Sequence, residues 1–207
     1  MKYKILGFAF LIVALAAVIS LIYYVEVSNQ KPLEPLNHKR LEVRTYTNDL
    51  FGFEVKYDRA YALSTAADLE NYFRTKGQTL ATIAMRYNSY PNTNFGSAQA
   101  TFAVREGTAA ENCIYYVTGA NTSSEMTEKI SINGKEAFTA EFTGAAAGTK
   151  YTTRLYHIPH NNTCYEISLT TGIANIGNYE QGTVMELNEA DIWQRLGAVV
   201  NTFKFTK

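Results

Sequence analysis

Residues 128–142 read EKISINGKEAFTAEF, and the pair at their centre, Asn133-Gly134, decides what kind of domain this is. A two-residue connection between antiparallel strands works best as a type I′ turn, which needs positive φ at both central positions. Asn-Gly is the pair that tolerates it best. Glu128–Ile132 and Lys135–Phe142 are therefore expected to pair as a hairpin. Downstream, Tyr151–Ile158 and Cys164–Thr171 repeat the arrangement across a polar loop, Pro159–Thr163. On the later strand Tyr165, Ile167 and Leu169 face one way and Glu166, Ser168 and Thr170 the other, the period of two that a strand imposes. Gly144–Gly148 reads as a flexible connection between the two hairpins.

Upstream the same period recurs. Leu41, Val43 and Thr45 alternate with Glu42, Arg44 and Tyr46, which predicts a first strand, and Asn48-Asp49 supplies a turn. Phe51, Phe53, Val55 and Tyr57 alternate with Gly52, Glu54 and Lys56 as a second strand with one buried face. Leu80–Tyr87 and Ala98–Arg105 are two more, divided by a loop over Ser89–Gly96 that contains Pro91. Ala109–Tyr116 fits either a helical turn or a strand, and Gly119–Glu125 reads as polar loop.

Two segments change period. Leu69, Tyr72, Phe73 and Lys76 fall at helical spacing between Thr65, an N-cap type, and Gly77, a stop. After a long irregular stretch, Gly172–Leu187, a closing helix begins at Asn188 with Asp191 in its first turn. Ile192, Leu196, Val199 and Phe203 form its apolar stripe, widened by Trp193 and Val200.

The N-terminus speaks to compartment. Ile5–Val25, ILGFAFLIVALAAVISLIYYV, carries no charge. At about 1.5 Å per residue such a run makes a helix of about 32 Å, enough for a hydrocarbon core of about 30 Å. Lys2 and Lys4 precede it and Glu26 follows, which predicts a short cytoplasmic N-terminus (1–4), one transmembrane signal-anchor (5–25) and an extracytoplasmic remainder. The rival reading is a cleaved signal peptide ending near Ala14-Leu15-Ala16. Pro32 and Pro35 make residues 26–44 an extended stalk, reaching up to about 40 Å, and residues 45–207 the globular domain.

Composition agrees with a β-rich domain: 15 Tyr and 11 Phe stand against one Trp. The formal net charge is zero and no basic block occurs, which argues against nucleic acid as a partner. The only two cysteines, Cys113 and Cys164, follow the apolar run. In an oxidising compartment they are expected to pair, closing a loop of about 50 residues worth up to about 4 kcal/mol. Two thiols without a CxxC do not make a zinc site by themselves.

The order of elements has a familiar outline. A strand pair opening on FGFEVKYD, a middle pair around INGKEAF, a hairpin TRLYHIPHNNTCYEISL and a terminal helix ending NTFKF together resemble the PsbP-like domain over roughly residues 45–205. That resemblance implies an α+β fold, an antiparallel sheet flanked by helices on both faces, as in anchored bacterial proteins of the same kind. The chain departs from the family at Tyr57, followed by Asp58 where members often carry proline. The resemblance brings no residue roles with it.

His157 and His160 have a His-x-x-His spacing, and with Glu166 they would hold a metal if both pointed out of a hairpin end; the plainer reading is a solvated tip. No Gly-x-Ser-x-Gly or Gly-rich phosphate loop occurs. Tyr87, Tyr90, Phe95, Tyr115, Tyr116 and Tyr179 are candidates to line a ligand groove, or else to pack in the core. The expectation is a non-catalytic, membrane-anchored binding or scaffold domain, needing no cofactor. It would meet the bilayer through residues 5–25 and an envelope protein or ligand through the rest. The alternatives are a metal-assisted enzyme centred on His157 and His160, or a carrier with a tyrosine-lined groove.

Overall fold

Four strands of twelve residues carry the domain. The computed structural model describes residues 42–65, 77–119 and 122–207. These form β1 (Val43–Asn48), β2 (Phe53–Asp58), β3 (Ala62–Thr65), β4 (Gln78–Ala84), β5 (Phe95–Glu106), β6 (Tyr115–Gly119), β7 (Thr122–Glu125), β8 (Glu128–Ile132), β9 (Lys135–Ala146), β10 (Thr149–His160), β11 (Thr163–Ala174), helix α1 (Glu189–Val200) and β12 (Lys204–Phe205). Seven strands make one antiparallel sheet in the order β3-β4-β5-β11-β10-β9-β8, and β1-β2-β12 make a small second sheet.

Three type I′ turns join the long strands. Asn133-Gly134 has φ of 48° and 77°, as its sequence demands. Ala147-Gly148 (49°, 74°) and Asn161-Asn162 (47°, 55°) do the same work, which corrects two expectations. The segment Gly144–Gly148 is not a loose connection, because β9 and β10 remain paired to Ala146 and Thr149. The polar loop Pro159–Thr163 shrinks to two residues. Pro159 is tolerated inside β10 because residues flanking a two-residue turn are the hydrogen-bonded pair. The next position therefore turns its nitrogen away from β11, on the side where the β9 ladder has already ended at Phe138–His157.

One face of the large sheet carries the apolar core. Phe102 and Val104 of β5, Tyr165, Ile167 and Leu169 of β11, and Ile158 of β10 point to it. β2 lays Phe53, Val55 and Tyr57 on the same core, and α1 adds Ile192, Leu196, Val199 and Val200. Phe53 sits 5.3 Å from Phe203 and 6.0 Å from Tyr165, ring centre to ring centre, a range in which aromatic pairs attract. Phe203 contributes from beyond the helix end. Asn188 caps α1, accepting a hydrogen bond from the Ala190 amide at 3.1 Å. The Arg154 guanidinium lies 4.1 Å from the ring centre of Trp193, which anchors the helix to β10.

The opposite face is polar yet buried: Thr82, Thr101, Thr153, His157, Glu166, Ser168 and Thr170 project there. At one end of this face Tyr116 of β6 stacks on Phe142 of β9 at 6.0 Å. Ala109–Tyr116, left open between helix and strand, divides into a 3-10 turn (Ala110–Asn112) and the start of β6. The expected loop Gly119–Glu125 contains β7 instead, because Ser123–Glu125 pair with Tyr115–Val117.

The expectation of helices on both faces is met on one. Among the described residues α1 is the single α-helix, and the remainder is mostly strand. The helix expected over Thr65–Lys76 lies outside the described residues apart from Thr65, which ends β3. Residues 5–25 also lie outside them, and among the described residues no helix is long and apolar enough to cross a membrane.

Candidate functional site

The polar face of the sheet holds the densest chemistry. Even-numbered residues of β11 point there, and register fixes their neighbours: Cys164 stands opposite Arg105 of β5, and Glu166 opposite His157 of β10. The 3-10 turn before β6 brings Cys113 down onto this row, and Cys113 and Cys164 form a disulfide with their Cα atoms 5.3 Å apart. Both sulfurs are fully buried.

Glu166 has no exposed surface. Its Oε1 lies 3.1 Å from Arg105 Nε and its Oε2 accepts the Gly77 amide at 3.0 Å. A carboxylate taken out of water needs such partners, since its desolvation costs several kcal/mol. Gly77 is there because nothing larger fits: a Cβ would stand 2.2 Å from the Val104 carbonyl oxygen. His157, equally buried, makes a 2.7 Å hydrogen bond between Nδ1 and the Cys113 carbonyl. A carbonyl only accepts, so Nδ1 carries the proton, and Nε2 is turned toward Glu166 Oε1 at 3.9 Å. Arg105 also directs Nη2 at Cys164 Sγ, 3.4 Å away.

The histidines do not form one centre. Positions 157 and 160 of a strand point to opposite faces, so the shared outward tip expected for His157, His160 and Glu166 is not what forms. His157 joins Glu166 on the polar face, while His160 crosses to the core side and stacks on Phe205 with ring centres 3.9 Å apart. His160 borders two shallow clefts. One, of about 430 Å³, is lined by Phe51, Asn161, Tyr165 and Lys207 among others; the second, of about 360 Å³, by Lys135, Phe203 and Phe205 among others.

The aromatic candidates also divide. Tyr90 and Phe95 pack at 5.1 Å beside α1, where the Tyr90 hydroxyl donates to Asp191 Oδ2 at 2.5 Å and Arg195 Nε to the same oxygen at 2.9 Å. Burial, then the bond to Asp191, pushes the Tyr90 hydroxyl well above its usual range. The hydrogen bond from Tyr90, with help from Arg195, holds the Asp191 carboxyl below its own. Tyr116 belongs to the polar-face hairpin, Tyr87 is almost wholly exposed, and Tyr115 and Tyr179 are partly so. None of Tyr87, Tyr90, Phe95 or Tyr179 lines either cleft beside His160.

Gly77, read from sequence only as a helix stop, and Arg105, read only as a strand end, were not picked out as site residues. The available signal was Glu166 itself, a carboxylate on the face of a strand that also carries Ser168 and Thr170, which calls for a cation nearby if that face is buried.

No protein-family model matches the chain, and no curated protein matches its sequence. Among solved structures, a protein of Bacteroides thetaiotaomicron aligns at 14% identity with a TM-score of 0.44. The alignment covers 79% of this chain and 48% of that one, so the chain spans about half its length. LpqN of Mycobacterium tuberculosis, described as involved in cell envelope biogenesis, aligns at 8% identity and 0.43, over 81% of this chain and 92% of that one. A cyanobacterial PsbP from Synechocystis aligns at 7% identity and 0.32, over 79% and 92%. A PsbP is thus among the structural neighbours, and no residue role is carried across from any of them.

Proposed function

We propose that this chain is a membrane-anchored, extracytoplasmic module that binds or scaffolds an envelope partner and performs no catalysis. The observation that carries the reading is the buried Cys113–Cys164 disulfide, the bond expected of an exported domain and unusual in a reducing cytoplasm. The uncharged run Ile5–Val25, preceded by Lys2 and Lys4, supplies the means of export and retention. Two arrangements speak for binding over catalysis. The histidines that would share a metal centre lie on opposite faces of β10, and both cysteines that would serve as nucleophiles are consumed in a covalent bond. The partner face in this reading is the end of the domain around His160 and Phe205, where the two clefts meet and Lys135, Lys204 and Lys207 gather.

Thiol alkylation and protease access on intact and permeabilised cells test it. The full-length chain should be cleaved from outside, remain membrane-bound, and take up alkylating reagent at Cys113 and Cys164 only after denaturation with reductant. A domain shielded in intact cells, with both thiols alkylated without reductant, sinks the reading. Photo-crosslinkers at Asn161 or Lys204 should then capture a defined envelope protein that a crosslinker at Tyr87 does not.

A further inference from the structure

The disulfide joins two members of a four-residue cluster whose other members are His157 and Glu166. We propose that when the Cys113–Cys164 bond is reduced, Cys113, Cys164, His157 and Glu166 form a closed binding site for a divalent transition-metal ion, Zn²⁺ being the ion that the donors suit.

Three observations carry this. The first is distance: ligand atoms of His157, Cys164 and Glu166 all lie within 4.8 Å of one another, every one buried, and the Cys113 sulfur is bonded to that of Cys164. The second is the histidine's orientation. Its Nδ1 proton is fixed on the Cys113 carbonyl, which leaves Nε2 directed at the cluster; metal-bound histidines are held by this same second hydrogen bond. The third is charge. Two thiolates and a carboxylate balance a dication plus the guanidinium of Arg105, which lies 3.1 Å from the Glu166 carboxylate and 3.4 Å from the Cys164 sulfur, neutral in the disulfide and anionic once reduced and metal-bound. A neutral sum is what a site without solvent requires. Two sulfurs and an imidazole favour zinc over magnesium or calcium, and four protein donors with no open position describe a structural site.

The step balances. An external dithiol supplies two electrons and two protons and closes to its own disulfide, the Cys113–Cys164 bond opens to two thiols, and the entering cation displaces both thiol protons to solvent. The inference goes beyond the binding role proposed above and does not depend on it.

The test uses the full-length chain in detergent, reduced by a phosphine that leaves as its oxide with oxygen from water, and titrated with Co²⁺ as a spectroscopic stand-in for Zn²⁺. One equivalent should give a thiolate-to-cobalt charge-transfer band with intense tetrahedral visible bands, and Zn²⁺ should displace it; the oxidised chain should give neither. His157→Gln should keep the charge-transfer band, shift the visible bands and weaken affinity by roughly tenfold or more. Cys164→Ser, which leaves only the Cys113 thiolate, should cut the charge-transfer band to about half or less. A cobalt spectrum of the aqua ion in the reduced chain, or His157→Gln binding like the parent, overturns the proposal. Where reduction costs the chain its near-ultraviolet dichroism, Zn²⁺ should restore it, and failure to do so also overturns the proposal.

Discussion

Arg105→Met is the sharpest test of the buried ion pair. The substitution keeps an unbranched side chain of similar length but removes the cation 3.1 Å from a carboxylate with no exposed surface. At an effective dielectric of about 20, unit charges at that distance attract by about 5 kcal/mol. Relaxation around the site returns part of this, and breaking a buried pair from one side typically costs about 3–5 kcal/mol. We expect about 3 kcal/mol. The reverse change, Glu166→Gln, should cost less, about 1–2 kcal/mol, for two reasons: Gln keeps an acceptor for the Gly77 amide, and the Arg105 side chain, 20% exposed, can turn its charge to water. Urea unfolding of the oxidised chain, followed by fluorescence of Trp193 on α1, measures both. The double variant should cost less than the sum of the two. A penalty for Arg105→Met under 1 kcal/mol, or one smaller than that for Glu166→Gln, refutes the account of this pair.

Gly77→Ala should destabilise the domain by several kcal/mol or prevent folding, because its Cβ would overlap the Val104 carbonyl, while Gly197→Ala in α1, with open space around it, should add about 0.5–1 kcal/mol; thermal melts distinguish them. Asn133→Ala should lose about 2 kcal/mol, since it removes a positive-φ turn residue and the Asn133 amide bonds to the Asn201 and Phe203 carbonyls at 2.8 and 2.7 Å. Reduction in the absence of metal should cost about 4 kcal/mol for a separation of 51 residues, read as a lowered urea midpoint. Asp191 has a depressed folded pKa, so its contribution is present above the carboxylate range near pH 4 and is lost on acidification; Tyr90 has a raised one, so its contribution is present below about pH 10 and lost above. Tyr90→Phe should therefore flatten both arms of the stability–pH profile.

What was legible in the sequence followed from local rules. Asn133-Gly134, the alternation in β2 and β11, and the cap and stripe of α1 each declare themselves within a few residues and stand where expected, except that Phe203, read as part of the stripe, packs from beyond the helix end. Strand ends were harder. A ladder continues as long as its partner continues, so Ala145 and Ala146 stay in β9 on the strength of Lys150 and Thr149, not of their own propensity. The disulfide was legible from an even cysteine count and the expectation of export, whereas Arg105, Gly77 and Glu166 meet only through the register of β5, β11 and β10 and an approach from residue 77. The His-x-x-His spacing misled for the same reason. Its meaning depends on whether the backbone repeats every 3.6 residues or every two, and in a strand the pair is divided.

The same four residues would couple the redox state of the domain to its metal chemistry. With the cysteines joined, the segment just after the 3-10 turn at Ala110–Asn112 is held to the polar face by one covalent bond and by the His157 contact to the Cys113 carbonyl. With them reduced the covalent tie is lost, and on the inference above a metal ion would take over its role. On the proposed reading, export through residues 5–25 would favour the disulfide, and a reducing compartment would favour the thiols. A variant with charges inserted into Ile5–Val25 should abolish export and shift the cytoplasmic chain from the oxidised to the metal-bound form. Intact mass after rapid acid quench with alkylation, together with metal analysis at neutral pH, reads both. If the retained chain keeps its disulfide quantitatively, the bond owes nothing to compartment, and its support for an exported module falls with it.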